Sequence, residues 1–363
     1  MRHALVLALL LAALPAHAGG GRQDKKPRPF LMGSTYFPHD LTLEAFAELQ
    51  TFLEANVDLV SRKLDEGVPW PEATADLPYA PELDKKIQEE SVRPEGKRLL
   101  LAVTPLNGDK TALAPYRGAA ANQPLAGAWA QKDFDDPAAA RAYLSYCREV
   151  IRRARPDALI YGIEVNQLAE KNPTRWKKFV LFVRDIYASL KKENPDLPLL
   201  LSVQLETFYA NEAAQRRAVR DILPFSDYAA VATLPNLVHT NPAKIPRDYL
   251  SKVAALAPGK PLAVVDTAFL GEDLRIGDFE RVGKPAWQDE YLRWLLEDCA
   301  RLNAKIVVYS IPRDYDLLWE KLLRHLPLEF LKIMRDTGLL DGDGKPRKAF
   351  ETWKDWHGRN YKP

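Results

Sequence analysis

Apolar positions along this chain fall into two alternating rhythms. Short unbroken apolar runs, which leave no face for solvent, read as strands buried on both sides. Between them, apolar residues recur three and four positions apart, the spacing of an amphipathic helix. The predicted strands are residues 30–36, 57–61, 98–103, 158–164, 199–203, 228–232, 262–265 and 305–310. The predicted helices are 41–55, where Leu43, Phe46, Leu49, Phe52 and Leu53 share a face, then 81–90, 138–155, 173–192, 211–222, 246–256, 287–303 and 345–356. Strand–helix alternation with few hairpin signals predicts an α/β protein built as a single-domain, closed (β/α)8 TIM barrel, since an open doubly wound sheet would normally use fewer strands. Residues 104–135 and 271–284 read as long loops following strands three and seven, and loops of that length in a compact domain are usually functional.

The first residues break the rhythm. Arg2 and His3 precede an apolar run from Ala4 to Leu14, and Pro15-Ala16-His17-Ala18 then ends in an Ala-x-Ala pattern. This predicts a secretory signal peptide over 1–18, removed after Ala18, and a secreted or periplasmic protein without membrane insertion. The run is too short for a spanning helix, which needs about 20 apolar residues. Residues 19–28 read as a flexible leader and 29–358 as the barrel domain. Cys147 and Cys299 fall in the helices after strands three and seven, on opposite sides of the ring. Bridged Cα atoms lie within roughly 7 Å, so no disulfide between them is expected.

Composition narrows the function. The chain has 363 residues with 47% hydrophobic and 28% charged, ordinary values for a globular protein. Its net charge of +2 argues against nucleic acid as a partner. A monomer without a cofactor is expected.

Parallel barrels do their chemistry at the carboxyl ends of the strands. Those ends offer Tyr36, Arg62, Asn107, Glu164, Asn166, Gln204, Glu206, Asn236, Asp266 and Asp314, a set suited to sugar hydroxyls. Trp70, Trp129, Tyr209 and Trp287 are candidates for stacking on sugar faces. Only His39 and His239 lie in loops near the mouth, too few for a multidentate metal site. Strands seven and eight lack the glycine-rich turns of a phosphate site, and no Gly-x-Ser-x-Gly elbow occurs. Glycoside hydrolysis needs two carboxylates flanking the bond, and Glu164 and Asp266 at the ends of strands four and seven supply them. Glu206 and Asp314 are spare carboxylates for the second role.

At these positions the chain resembles the retaining (β/α)8 glycoside hydrolases of clan A, most nearly the endo-β-1,4-galactanase type and uncharacterised secreted bacterial relatives. Gly162-Ile163-Glu164-Val165-Asn166, the segment from Pro261 to Gly271, and Thr337-Gly338-Leu339 through Trp353 carry the likeness, which spans most of residues 29–357. The resemblance implies that Glu164 is the acid/base and that Asp266 occupies the nucleophile position. It also marks departures. Ile163 stands where the clan usually has an Asn that holds the sugar 2-hydroxyl, and Asp266 is one methylene shorter than the usual Glu. Leu234 and Ile311 occupy expected aromatic positions, unless Tyr309 substitutes. Retaining enzymes separate their carboxyls by about 5–5.5 Å and inverting ones by about 6.5–9.5 Å, so a shorter Asp266 points toward the inverting arrangement. Loss of a contact that strengthens in the transition state equally allows a barrel that binds sugar without cleaving it.

Overall fold

The computed structural model describes residues 26–325 and 329–363. The expected export signal and most of the leader lie outside the described residues. Eight parallel strands close into a barrel: β1 (Leu31–Thr35), β2 (Leu59–Leu64), β3 (Arg98–Val103), β4 (Ala158–Gly162), β5 (Leu199–Gln204), β6 (Ala229–Thr233), β7 (Leu262–Thr267) and, after a hairpin of β8 (Leu274–Ile276) and β9 (Phe279–Arg281), β10 (Ile306–Tyr309). The ring closes where β1 pairs with β10, Leu31 opposite Ile306.

Alternation along each strand sorts the side chains into two cores. Leu59, Leu100, Ile160, Leu200, Val265 and Val308 point inward and fill the barrel with a packed apolar layer. Their neighbours, among them Val60, Leu101, Leu159, Leu201, Val264 and Val307, face outward against the helices. Gly33 keeps the interior from overfilling, since a Cβ there would sit 2.6 Å from Leu59 Cδ2. Because the interior is solid, ligand chemistry is confined to the rim.

Helix starts follow local capping chemistry. Asp136 and Asn172 accept the backbone N–H groups of Ala138 and Arg175, and Pro137 and Pro173 open the helices Pro137–Ala154 and Pro173–Glu193. The last helix, Lys348–His357, takes the eighth outer position, with Trp353 Nε1 donating to Asn56 O at 2.8 Å and Trp356 stacked on Phe30.

Two expectations change. The helix predicted over 246–256 is a single turn, Ser251–Ala254, because Pro246 opens a turn and Pro258-Gly259 soon follows. The loop predicted over 271–284 contains the β8–β9 hairpin, whose two-residue turn has Gly277 at φ 54°, a conformation that costs glycine little. Cys147 and Cys299 are buried and free, one in Pro137–Ala154 and the other in Pro285–Arg301. No described helix is long and apolar enough to cross a membrane.

Candidate active site

Backbone irregularities aim the two carboxylates at the mouth. On β4 the register slips between Ile160 and Gly162. Gly162 permits this, because a Cβ there would lie 2.7 Å from Leu201 Cδ2 and 2.8 Å from Val165 Cγ1. Two residues later Glu164 adopts φ 51°, a left-handed conformation uncommon for a residue with a Cβ. Ser202 of β5 holds it there, its hydroxyl accepting the Glu164 N–H at 2.8 Å and its carbonyl the Val165 N–H at 2.9 Å. On β7 the register slips again beside Asp266. Val265 remains in the interior layer while Thr267 bonds outward to Tyr291, and Asp266 turns to the mouth. Bulges of this kind commonly re-aim side chains at functional sites.

The two carboxylates sit in opposite electrostatic settings. Burial raises the Glu164 pKa above the ordinary Glu value, and the charge on Asp266 adds to this against Lys110, Lys63 and Lys171. One Glu164 oxygen accepts the Gln167 side-chain N–H at 2.8 Å. Burial would also raise Asp266, yet Lys63 and the Ser310 hydroxyl together hold it below the ordinary Asp value. Lys63 Nζ lies 2.6 Å from Asp266 Oδ2, and Ser310 donates to Oδ1. The Asp266 charge in turn raises Lys63. Tyr315 lines the same cleft as Thr35 and Lys63, within reach of the Asp266 charge. This cleft of about 290 Å³ opens between Lys63, Thr35, Ile311 and Tyr315. A hollow of about 420 Å³ lies on the outer surface between the helices Trp70–Ala75 and Pro137–Ala154, away from the strand ends.

Lys63, Ser310, Tyr315 and Lys110 are absent from the residues singled out in the sequence. Strand alternation carried a signal for Lys63: with Leu59 inward, Ser61 and Lys63 share its face. The aromatic group beside Asp266 is Tyr315, outside the strand positions where one was sought.

The other candidates are placed as follows. Tyr36 is half-buried under the Arg62 guanidinium, 3.8 Å from its ring centre. Arg62 points out of the barrel, bonding Glu90 and the Val92 carbonyl. Asn107 folds a turn, its side-chain oxygen accepting the N–H groups of Thr111 and Ala112. Asn166 is fully buried, locking the Gln204 backbone and Gln215. The Gln204 side chain accepts from Thr207. Glu206 Oε1 takes Thr233, the Leu234 N–H and Tyr249, and burial raises its pKa. Asn236 is buried with no hydrogen-bond partner among the described residues for either side-chain polar atom, and Arg281 of the hairpin grips its carbonyl.

Three placements correct the sequence reading. Trp70 is fully buried, its N–H on the Ala114 carbonyl, and only half-buried Trp129, stacked on it, reaches solvent. Tyr309 faces outward into the core and donates to the Thr337 carbonyl, so it does not substitute for Ile311 at the mouth. Asp314 is sealed against Arg347 and the Gly338 N–H, which removes it as a spare carboxylate. Asp314, Asp316 and Asp336 bring carboxylate oxygens within 4.8 Å of one another, but Arg347 and Arg335 already pair with Asp314 and Asp336 at 2.6 Å.

No protein-family model and no curated protein matches the chain in sequence. Solved structures do match in shape. An exo-β-1,4-mannosidase from Opitutaceae bacterium strain TAV5 aligns at TM-score 0.62 and 14% identity, over 90% of this chain and 59% of its own. The shared fold is the closed (β/α)8 barrel. A GH5_18 variant from Streptomyces cattleya, in complex with Manb1-4GlcNAc, aligns at 0.61 and 15% identity, over 93% and 83% of the two chains. The Ignisphaera aggregans GH53 catalytic domain aligns at 0.53 and 15% identity, over 88% and 89%. The chain thus spans about three fifths of the mannosidase chain and most of the other two.

Proposed function

We propose that this chain is an exported glycoside hydrolase that cleaves O-glycosidic bonds of a poly- or oligosaccharide, with Glu164 as general acid and Asp266 as its ionised partner. One observation carries the reading: two carboxylates at the ends of β4 and β7 have their pKa values pushed in opposite directions, Glu164 up and Asp266 down. Such a split assigns acid and base roles within a pair. Glu164 then delivers its proton to the glycosidic oxygen as the bond to the anomeric carbon breaks. Asp266 takes a proton from water as the water oxygen attacks that carbon, an inverting displacement suited to a short carboxylate anchored by Lys63. Protons return through solvent.

A second reading, a carbohydrate-binding barrel without turnover, is favoured by the engagement of both Asp266 oxygens, Oδ2 by Lys63 and Oδ1 by Ser310. Reducing-end release from a glycan panel, by wild type beside Glu164→Gln, separates the two. β-1,4-linked mannans and galactans come first, given the β-1,4 linkages named for the mannosidase and the bound Manb1-4GlcNAc. Turnover lost in the variant supports the hydrolase, and the anomer first released reports whether Asp266 activates water or attacks directly. Binding without turnover by both proteins selects the silent barrel.

A further inference from the structure

Six non-glycine residues among those described hold a left-handed backbone: Asp76, Lys110, Asn122, Arg155, Glu164 and Asn303. Asp and Asn tolerate this region, and Arg155 ends the helix Pro137–Ala154, where such a cap is common. Lys110 and Glu164 have neither excuse, and each lies within range of the other's charge. A chain of contacts sets this geometry. Gln167 donates to Glu164 Oε2 at 2.8 Å, Lys171 Nζ donates to Gln167 Oε1 at 3.1 Å, and the same Nζ donates to the Asp109 carbonyl at 2.9 Å. The tip of the loop after β3 is thereby tied beside the acid, and the Asn107 turn presents Lys110 there at φ 56°.

Three lysines surround Glu164. Lys63 is taken by Asp266, and Lys171 by Gln167 and Asp109. Lys110 is half-buried, and among the described residues its ammonium has no hydrogen bond or ion pair. Glu164, Asp65, Lys63 and Lys171 are the charged groups that act on it. A partly desolvated cation held at a strained position without a partner is a site prepared for an anion. Resting on the carbohydrate reading of the mouth, we propose that Lys110 binds an anionic substituent, a carboxylate or a sulfate ester, on the glycan that Glu164 serves. Such an anion also cancels the positive charge that opposes protonation of Glu164, so binding draws a proton onto the acid.

Lys110→Gly is the informative variant, because glycine removes the charge and accepts φ 56° without strain. Calorimetric titration of the full chain would use oligosaccharides of a polyuronate and of a sulfated galactan, each beside its carboxyl-reduced or desulfated counterpart. The expected result is anionic binding about tenfold tighter than neutral, abolished in Lys110→Gly and kept in Lys110→Arg. The arm that shows the preference tells carboxylate from sulfate. Equal binding of anionic and neutral glycans, or a preference that survives in Lys110→Gly, overturns the assignment and leaves the carbohydrate reading standing. Binding of no glycan overturns both.

Discussion

Lys63 Nζ lies 2.6 Å from Asp266 Oδ2, joining β2 to β7 across the ends of β1 and β10. The contact fixes the charge state of the site. Asp266 stays ionised despite its partial burial, and Lys63 gives it an orientation that the shorter side chain alone would lack.

Replacing Lys63 by Met therefore leaves the half-buried Asp266 beside Ser310 without a cation, and its pKa should rise. The acidic limb of the rate profile should move to higher pH, and a carboxyl carbon titration should show the same shift independently of turnover. A limb and a carboxyl titration both unchanged would show that Lys63 does not hold the charge. Lys63 is 38% exposed, so solvent screening keeps the stability loss at or below the low end of the roughly 1.5–3 kcal/mol of a charged hydrogen bond. The signs for pH follow from the two shifts. The Asp266 pKa is depressed, so its contribution is present above the ordinary Asp value near about 4 and is lost as the pH falls through the folded value. The Lys63 pKa is raised, so its contribution is present below about 10.4 and is lost in stronger alkali.

Glu164 behaves in the opposite sense. Its folded pKa is raised, so the folded state loses stability as pH climbs above the ordinary Glu value toward the folded one. Glu164→Gln should consequently melt no lower than wild type at neutral pH, with the difference closing near pH 4, while a hydrolase loses about 100- to 10,000-fold in rate. A variant that melts well below wild type at neutral pH would mean that Glu164 is a structural anion.

What the sequence made legible divides along physical lines. Strands buried on both faces are unbroken apolar runs, so all eight were found, several to within two residues. Glu164 and Asp266 were visible because each interrupts such a run at its carboxyl end. Tyr315 was not, since it lies in the connection after β10, where no period sets its direction. Trp70 was misread because tryptophan in a Pro-rich loop carries no mark of whether the loop folds over it. Lys110 had no sequence signal: its isolation depends on Asn107, Lys171 and the loop between them closing in space.

Gly162→Ala tests the bulge that aims the acid. The added methyl would meet Leu201 and Val165 within 3 Å, and overpacking of this kind costs about 1–3 kcal/mol. The expected outcome is a folded but less stable protein with lower kcat, because the clash pushes on Val165, the residue next to Glu164, as well as on Leu201. Unaltered kcat with lowered stability would separate the bulge from the acid's position.

Trp70→Ala distinguishes a core tryptophan from a sugar platform. The ring is buried between Trp129 and Tyr143, with its N–H on the Ala114 carbonyl. Its loss should cost about 3–5 kcal/mol by chemical denaturation, the range for deleting a large buried aromatic. The cavity also undercuts Trp129, which stacks on Trp70 at 5.5 Å and carries Lys132 over its face. A platform residue would give the reverse result, with glycan affinity lost and the denaturation midpoint unchanged. Trp129→Ala supplies the control: a half-buried ring above the core should lose little stability, so any loss of glycan affinity in that variant places the stacking surface at Trp129.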